Sequence, residues 1–426
     1  MGDRIKLNRI ITICIYATVI IVPFVYLPFI FVYDFFYWPK YMALVFISTF
    51  LLIQVLLNLD RMHTLFKFDW INKLLLTYFV LITISLFFSL DPITSIQGRI
   101  NRYDGYTTQV IYMLLFLFAR NISVIDKRFI KLVAISTTVL SIYGIMQYLG
   151  FEPFMRDLTR LYWKAAFSTF GNQNFFGSFL VLQLPFSLYI ISVYRMKWGY
   201  LSYSISLLAL MMTSTRSAWI GFAISFVFMF ILLLRKNNHY KWIVLVTLFI
   251  LFGFNFMTDS HMISRFLSIF KDANVLLTTS YQSNPEVIDR LGSVRMFIWV
   301  RTLELIKMRP WFGFGIENLD IAFGQYYYED TIKLLGRYAL SDKAHNDYLH
   351  IAVSSGVPSL IAYCGFLLRS AYESFKTLDQ EINVLFFASI LGYLACLFFN
   401  ISVVSVAYIL WIYLGLLTRY KTTEVQ

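Results

Sequence analysis

Charged residues are scarce in this 426-residue sequence. Asp, Glu, Lys and Arg together make up 14% of it, whereas 59% is hydrophobic and the mean hydropathy is +0.66. Soluble domains average about 25% charged and about 45–50% apolar residues. The composition therefore excludes an ordinary water-soluble globular protein.

Cysteines and nucleotide-binding motifs are also scarce. The three cysteines, Cys14, Cys364 and Cys396, all lie in apolar runs, which argues against a disulfide framework or a zinc site. The sequence has no G-x-x-x-x-G-K-[ST] motif of a P-loop ATPase and no D-x-D motif of a metal-dependent sugar-nucleotide transferase. Energy or a leaving group must therefore arrive with the substrate.

Long uncharged runs fill most of the chain, and they do not alternate as the strands of a membrane barrel do. We predict an all-α polytopic membrane protein with about twelve transmembrane helices, a single membrane domain over 1–426 and a long extracytoplasmic loop at 258–346. The first run is too long for a signal-peptide core and is expected to be retained. The predicted spans are 10–32, 41–58, 71–90, 105–119, 129–149, 173–194, 199–213, 218–234, 242–257, 347–368, 383–399 and 402–418.

The positions of Lys and Arg predict the orientation of the chain. With both termini cytoplasmic, the cytoplasmic segments carry 19 of them and the short outer loops carry 7, as the positive-inside rule requires. This distribution accounts for the net charge of +12, so we expect no nucleic-acid partner.

Polar residues on the predicted outer side are candidate functional residues, because polar groups at membrane depth are costly. Arg99 and Arg102 lie in a Gly-containing loop that could equally be a solvated surface. Asn172 and Asn174 precede a span, where they either cap a helix or contribute to a site. Arg216 lies in a very short turn between two spans, so it either binds phosphate or carboxylate or reaches lipid headgroups.

An amphipathic helix is predicted within 290–319, lying at the outer membrane interface and ending before Pro310. Its apolar positions recur at helical spacing, with Arg301 and other charged residues off the stripe. Arg295 lies one turn before Trp299. The predicted apolar stripe consists of Met296, Trp299, Val300, Leu303 and Ile306.

The segment "KAHNDYLHIAVSSGVPSLIAY" at 343–363 begins with polar residues although it enters a predicted span. His345 either acts as a general base or serves as a capping or interface histidine. His350 lies five positions later, on a different face of a helix, so the pair does not match the i, i+4 zinc motif. We therefore expect no metal site, and we expect His350 to tolerate substitution better than His345.

Four blocks in order resemble the O-antigen ligase and polymerase superfamily of bacterial membrane glycosyltransferases. They are "AAFSTFGNQNFFGSFLVLQLP", "TSTRSAWIGF", "RMFIWVRTLELIKMRPWFGFGIENL" and the segment beginning at Lys343. The resemblance implies that His345, Arg216 and Arg295 are catalytic. Within or near these blocks, the candidate substrate-binding residues are Arg99, Arg102, Asn172, Asn174, Arg301, Asn346 and Tyr348.

The same resemblance implies the reaction. The chain is expected to lie in the bacterial cytoplasmic membrane, among membrane lipids, with its active site outside. It would transfer a glycan from a polyprenyl diphosphate donor to a glycan, lipid or protein acceptor, without a cofactor, as a ligase or as a repeat-unit polymerase. A lipid-linked glycan transporter remains an alternative, although its polar groups should lie near the midplane. A scaffolding protein is a further alternative, but it would not need the outer arginines.

Overall fold

The chain is helical throughout in a computed structural model that describes residues 2–28, 34–58, 67–154, 164–236, 240–337 and 341–420. These ranges contain nineteen α-helices and no strand. The helices are α1 Gly2–Ile21, α2 Trp38–Leu56, α3 Trp70–Leu86, α4 Pro92–Gln97, α5 Tyr106–Arg120, α6 Lys127–Tyr148, α7 Gln173–Ser192, α8 Trp198–Met212, α9 Arg216–Leu232, α10 Tyr240–Met257, α11 His261–Thr278, α12 Pro285–Asp289, α13 Arg295–Met308, α14 Leu319–Tyr326, α15 Tyr328–Leu335, α16 Asp347–Ser355, α17 Val357–Phe375, α18 Glu381–Leu397 and α19 Ala407–Leu417.

Six helical segments of the described chain are long and apolar enough to cross a membrane. Shorter apolar helices are α3, α8, α18 and α19. The all-helical, multi-pass character predicted from the sequence is confirmed, while the count of twelve spans and the orientation stay predictions. The candidate spans are Leu7–Phe24, Trp38–Leu56, Lys127–Tyr148, Gln173–Ser192, Arg216–Lys236 and Tyr240–Met257.

Helix α7 is the centre of the bundle, since all of its candidate span is buried within the protein. Helices α6, α8, α9 and α18 pack around it. Helices α9 and α18 cross closely, since a Cβ added to Gly221 would lie 2.4 Å from the carbonyl oxygen of Gly392. Small residues allow helix backbones to approach closely in membranes, so this pair of glycines sets the position of α9 and of Arg216 at its start.

The segment predicted as a long loop contains five helices, α11–α15. Helices α12–α15 are here called the cap. Helices α13, α14 and α15 form, together with Val353 of α16, an apolar core separate from that of the bundle, which includes Phe297, Leu305 and Phe323. Helix α13 contributes its buried residues to this core, whereas Leu303 of the predicted apolar stripe is 46% exposed. The helix is therefore part of a packed cap, and its placement at a membrane interface stays a prediction.

The span predicted over 347–368 is wrong in one respect, because two helices, α16 and α17, replace it. They meet at Gly356, which has φ +92°, and a Cβ there would lie 2.0 Å from the carbonyl oxygen of Trp311. Next to this contact the amide of Phe314 donates to the carbonyl of Val353 at 2.9 Å. The break lets the segment between α13 and α14 pair with the end of α16, the helix that follows His345.

Candidate active site

His345 lies in the short segment between the cap and α16, and its neighbours are held on both sides. The side chain of Asn346 caps α16 by accepting a hydrogen bond from the amide of Leu349 at 3.0 Å. The indole of Trp299 donates to the carbonyl of Ala344 at 2.9 Å. His345 itself has φ +51°, a left-handed conformation that is uncommon for a residue with a side chain. The chain therefore turns sharply at His345, and this turn fixes the position from which the imidazole side chain projects.

The surroundings of His345 keep its imidazole neutral. Burial, together with the positive charge of Arg295, lowers the pKa of His345 to about 4. Its Nδ1 atom is buried and has no hydrogen-bond partner among the described residues. A neutral imidazole with a free nitrogen can accept a proton at neutral pH, which is what a general base requires.

Arg216 and Arg295 come together from different parts of the fold. Arg216 is the first residue of α9, and its Nη1 donates to Ser268 Oγ at 2.8 Å and lies 3.8 Å from Asp272 Oδ2. Arg295 is the first residue of α13, where burial and the charge of Arg216 lower its pKa. No described residue accepts a hydrogen bond from the Arg295 guanidinium. Two cations held this close form a natural anion site.

Between these arginines and α11 lies an apolar pocket of about 270 Å³. Arg216 and Arg295 supply its positive charge, and Trp299, which also anchors the segment before His345, forms part of its wall. Its other lining residues are Ser217, Ile220, Ile269, Asp272, Ala273, Leu276, Leu291, Gly292, Met296 and Phe399. The pocket thus combines hydrocarbon walls with a cationic end next to His345, which suits an apolar chain that carries a phosphate.

The structure distinguishes the two loop arginines. Arg102 Nε donates to Asp342 Oδ2 at 2.7 Å, three positions before His345, and its charge contributes to the lowered pKa of His345. Arg99 instead pairs with Asp320 of the cap at 2.5 Å. Of the two, Arg102 is therefore the one that lies beside the histidine.

The two asparagines before α7 have structural partners. Asn172 caps the helix by accepting a hydrogen bond from the amide of Asn174 at 2.8 Å, so the capping interpretation is confirmed. Asn174 Oδ1 accepts a hydrogen bond from Thr215 Oγ1 at 3.2 Å. Since Thr215 directly precedes Arg216, Asn174 helps to hold the start of α9.

Two of the candidate residues are outside the lining of the pocket. Arg301 lies within the cap, where it donates to Tyr281 OH at 2.8 Å and to Asp330 Oδ2 at 3.2 Å. Tyr348 OH donates to the carbonyl of Leu394 at 3.1 Å, which joins α16 to α18. Both contacts stabilise the frame of the site, and the predicted roles of Arg301 and Tyr348 in substrate binding stay predictions.

A buried charged cluster next to the histidine segment escaped the sequence analysis. Lys343 Nζ lies 3.0 Å from Asp104 Oδ2 and also contacts Glu317, and all three side chains are at most 4% exposed. Burial raises the pKa of Asp104 to about 7, whereas the Lys343 charge overcomes the effect of burial and lowers the pKa of Glu317 to about 2. His350 Nε2 lies 3.5 Å from Glu317 Oε1, so His350 is a buried member of this cluster. Its partners come from distant segments, and no spacing in the sequence indicates them.

Arg265 was also missed by sequence reasoning. It lies on α11, where it donates to the carbonyl of Ser214 at 3.0 Å and where burial and the charge of Arg216 lower its pKa. Its position within an otherwise apolar stretch of the long loop is the only signal that the sequence offers. Arg265 joins α11 to the turn before α9 and adds to the positive charge around the pocket.

Comparison with known proteins identifies sequences that are similar to this chain. Residues 201–364 match the O-antigen ligase family model, and this segment carries Arg216, Arg295 and His345. The chain is 25% identical over 233 residues to a general O-oligosaccharyltransferase of Acinetobacter baylyi, a match that covers 53% of this chain and 38% of that relative. The resemblance to the O-antigen ligase superfamily is thus confirmed, and residues 201–364 are similar to that family.

Proposed function

We propose that this protein transfers a glycan en bloc from a polyprenyl diphosphate to an acceptor hydroxyl. One observation carries the proposal: Arg216 and Arg295 share an apolar pocket whose wall residue Trp299 holds the segment of His345. The relative's name, a general O-oligosaccharyltransferase, supports transfer of an assembled oligosaccharide to oxygen.

The pocket suits the lipid part of such a donor. Its apolar walls, including Ile220, Leu276 and Met296, would cover the isoprene units nearest the phosphates. The diphosphate would then lie between Arg216 and Arg295, where planar guanidinium groups can each donate two hydrogen bonds. An incoming phosphate would compete with the present contacts of Arg216 to Ser268 and Asp272.

In this reaction His345 accepts the proton, and the two arginines stabilise the developing negative charge. His345 accepts the proton of the acceptor hydroxyl while that oxygen bonds to the anomeric carbon. The bond from this carbon to the phosphate oxygen breaks, and the polyprenyl diphosphate leaves with the electron pair. Arg216 and Arg295 stabilise the charge that develops on it, which is often the largest contribution to catalysis. Because bound diphosphate offsets the charge of Arg295, it also raises the basicity of His345.

The reaction is proposed to occur at the outer face of the bacterial cytoplasmic membrane. The support is the Lys and Arg distribution, which leaves the cap outside. A cysteine introduced near Asn284 should react with an impermeant maleimide in intact cells. Protection of that cysteine in cells, with labelling only after lysis, contradicts this orientation.

Conservative variants of purified protein test the chemistry. With a polyprenyl-diphosphate glycan as donor, Arg216→Lys and Arg295→Lys should each lower kcat by about 10²-fold or more, since lysine lacks the bidentate fork. His345→Ala should lower it by about 10²–10⁴-fold with donor still bound. Arg309→Lys is the matched control, because Arg309 donates to the carbonyl of Phe88 and is outside the lining of the pocket.

The products distinguish ligation from polymerisation. Acceptor extended once by the whole donor glycan is the expected product, whereas a ladder of added repeats indicates a polymerase. Wild-type activity in both lysine variants contradicts diphosphate binding by these arginines.

A further inference from the structure

A second cavity lies at the end of the bundle opposite to His345. It has a volume of about 520 Å³ and is formed where α5, α17 and α19 end and where α3 and α18 begin. Helix α5 starts close to Arg102 and runs to Arg120, whose side chain lines the cavity. Fifteen helical residues rise about 22 Å, so this cavity is well separated from the proposed donor pocket.

Positive charge predominates in the lining of this basic cavity. Five cationic side chains line it against two carboxylates, and both carboxylates are already paired. Asp69 Oδ2 lies 2.7 Å from Arg120 Nη2, and Glu373 contacts Arg369 and lies 3.0 Å from Lys376. The five cations are Lys73, Arg120, Arg369, Lys376 and Arg419. The cavity therefore holds a surplus of three positive charges.

Two of these cations have no carboxylate partner among the described residues. Arg419 donates to the amide oxygen of Asn383 at 2.8 Å and to the carbonyl of Leu416 at 2.9 Å. Lys73 Nζ lies over the ring of Trp70, 4.9 Å from its centroid. Both groups keep a full charge that an anion in the cavity would compensate.

The arrangement differs from basic residues that only mark the cytoplasmic side of a span. Such residues reach into water, as the half-exposed Lys376 does here, whereas Arg120 is 3% exposed and Arg369 Nε is buried without a hydrogen-bond partner among the described residues. Phe68 and Trp70, which are 73% and 62% exposed, line the same cavity. Exposed aromatic rings are typical of the level of lipid headgroups, so the cavity opens where phosphate groups are found.

We propose that the basic cavity binds a phosphate-bearing anion, the headgroup of an anionic membrane lipid. The volume lies within the range of small-molecule sites, which is roughly 300–1,000 Å³. Arg369 and Arg419 present guanidinium groups that match the geometry of phosphate, and Lys73 and Lys376 add point charges. The aromatic pair at Phe68 and Trp70 would contact the glycerol and upper acyl region. This site is independent of the glycan-transfer reaction.

Lipid binding to the full-length protein in detergent tests the proposal. Native mass spectrometry should show one tightly held phosphatidylglycerol and weaker binding of phosphatidylcholine, which carries no net charge. The double variant Lys376→Gln, Arg419→Gln should bind phosphatidylglycerol about tenfold more weakly, since each removed cation weakens attraction to an anionic headgroup. Lys127→Gln, Arg128→Gln is the matched control, because both residues are exposed, lie at the same end of the bundle and are outside the cavity lining.

Two further measurements complete the test. Arg419→Lys keeps the charge but not the bidentate fork, so its affinity for phosphatidylglycerol should lie between those of wild type and the double variant. Thermal unfolding of each variant verifies that it is folded. If inorganic phosphate at millimolar concentration displaces the lipid and stabilises lipid-free protein, the occupant is free phosphate rather than a headgroup. Equal binding by wild type and the folded double variant, or equal binding of the two lipids, overturns the proposal.

Discussion

The pH dependence of transfer should report the unusual environment of His345. Its pKa of about 4 in the free protein leaves about nine-tenths of the imidazole neutral at pH 5, whereas a histidine at its ordinary value of about 6.5 would be about 3% neutral. Since the pH dependence of kcat/KM reports ionisation of the free enzyme, kcat/KM should stay constant down to pH 5 and fall only below pH 5. The measurement is initial-rate kinetics between pH 4 and 8 with purified protein and a polyprenyl-diphosphate glycan.

Removal of the positive charge of Arg295 provides the control for this pH dependence. Arg295→Gln should move the acidic limb of kcat/KM upward, because the lost cation no longer disfavours the imidazolium, and should lower the maximal rate as well. In the wild-type protein the acidic limb of kcat should lie at a higher pH than that of kcat/KM, since the bound diphosphate offsets the charge of Arg295. A limb of kcat/KM that stays in place in Arg295→Gln refutes the coupling between the arginine and His345.

Three further outcomes are expected. Lys343→Met should destabilise the protein by about 3–5 kcal/mol, because it leaves buried carboxylates without their cation, whereas Lys376→Met, at a position 51% exposed, should have little effect on the unfolding midpoint in detergent. Gly221→Ala should lower the thermal midpoint, since its Cβ would lie 2.4 Å from Gly392 O, while Gly253→Ala meets no atom within 4 Å and should be neutral. Transfer should continue in excess EDTA, because arginines supply the charge stabilisation; loss of turnover that Mg²⁺ restores contradicts this.

Much of the bundle could be predicted from the sequence, because spans depend on local runs of apolar residues. The break at Gly356 could not, since it depends on the backbone of Trp311 packing against a glycine from another segment. The resemblance brought Arg216, Arg295 and His345 to attention, and the structure places the two arginines at one pocket beside the histidine segment. The remaining contacts of the site join residues that are far apart in the sequence, so no local pattern predicts them.

Capping residues illustrate the same difference. Asn172 and Asn346 bond to amides two or three positions away, so a short pattern of residues suffices to predict them. The partners of Lys343 and Arg265 are instead distant in the sequence and depend on tertiary packing, so a short pattern does not predict them. The predicted tolerance of His350 rested on helix rotation alone and did not include Glu317, which lies against it.

One buried ammonium group determines when the site can form during biosynthesis. Asp104 precedes Lys343 by 239 residues, so its carboxyl emerges from the ribosome long before its partner exists. Until then it must remain hydrated or take up a proton, because a lone carboxylate is costly to bury. The contact forms only after α9 and α13 have been made. A nascent chain that ends before residue 343 would thus carry both arginines and still lack an assembled site.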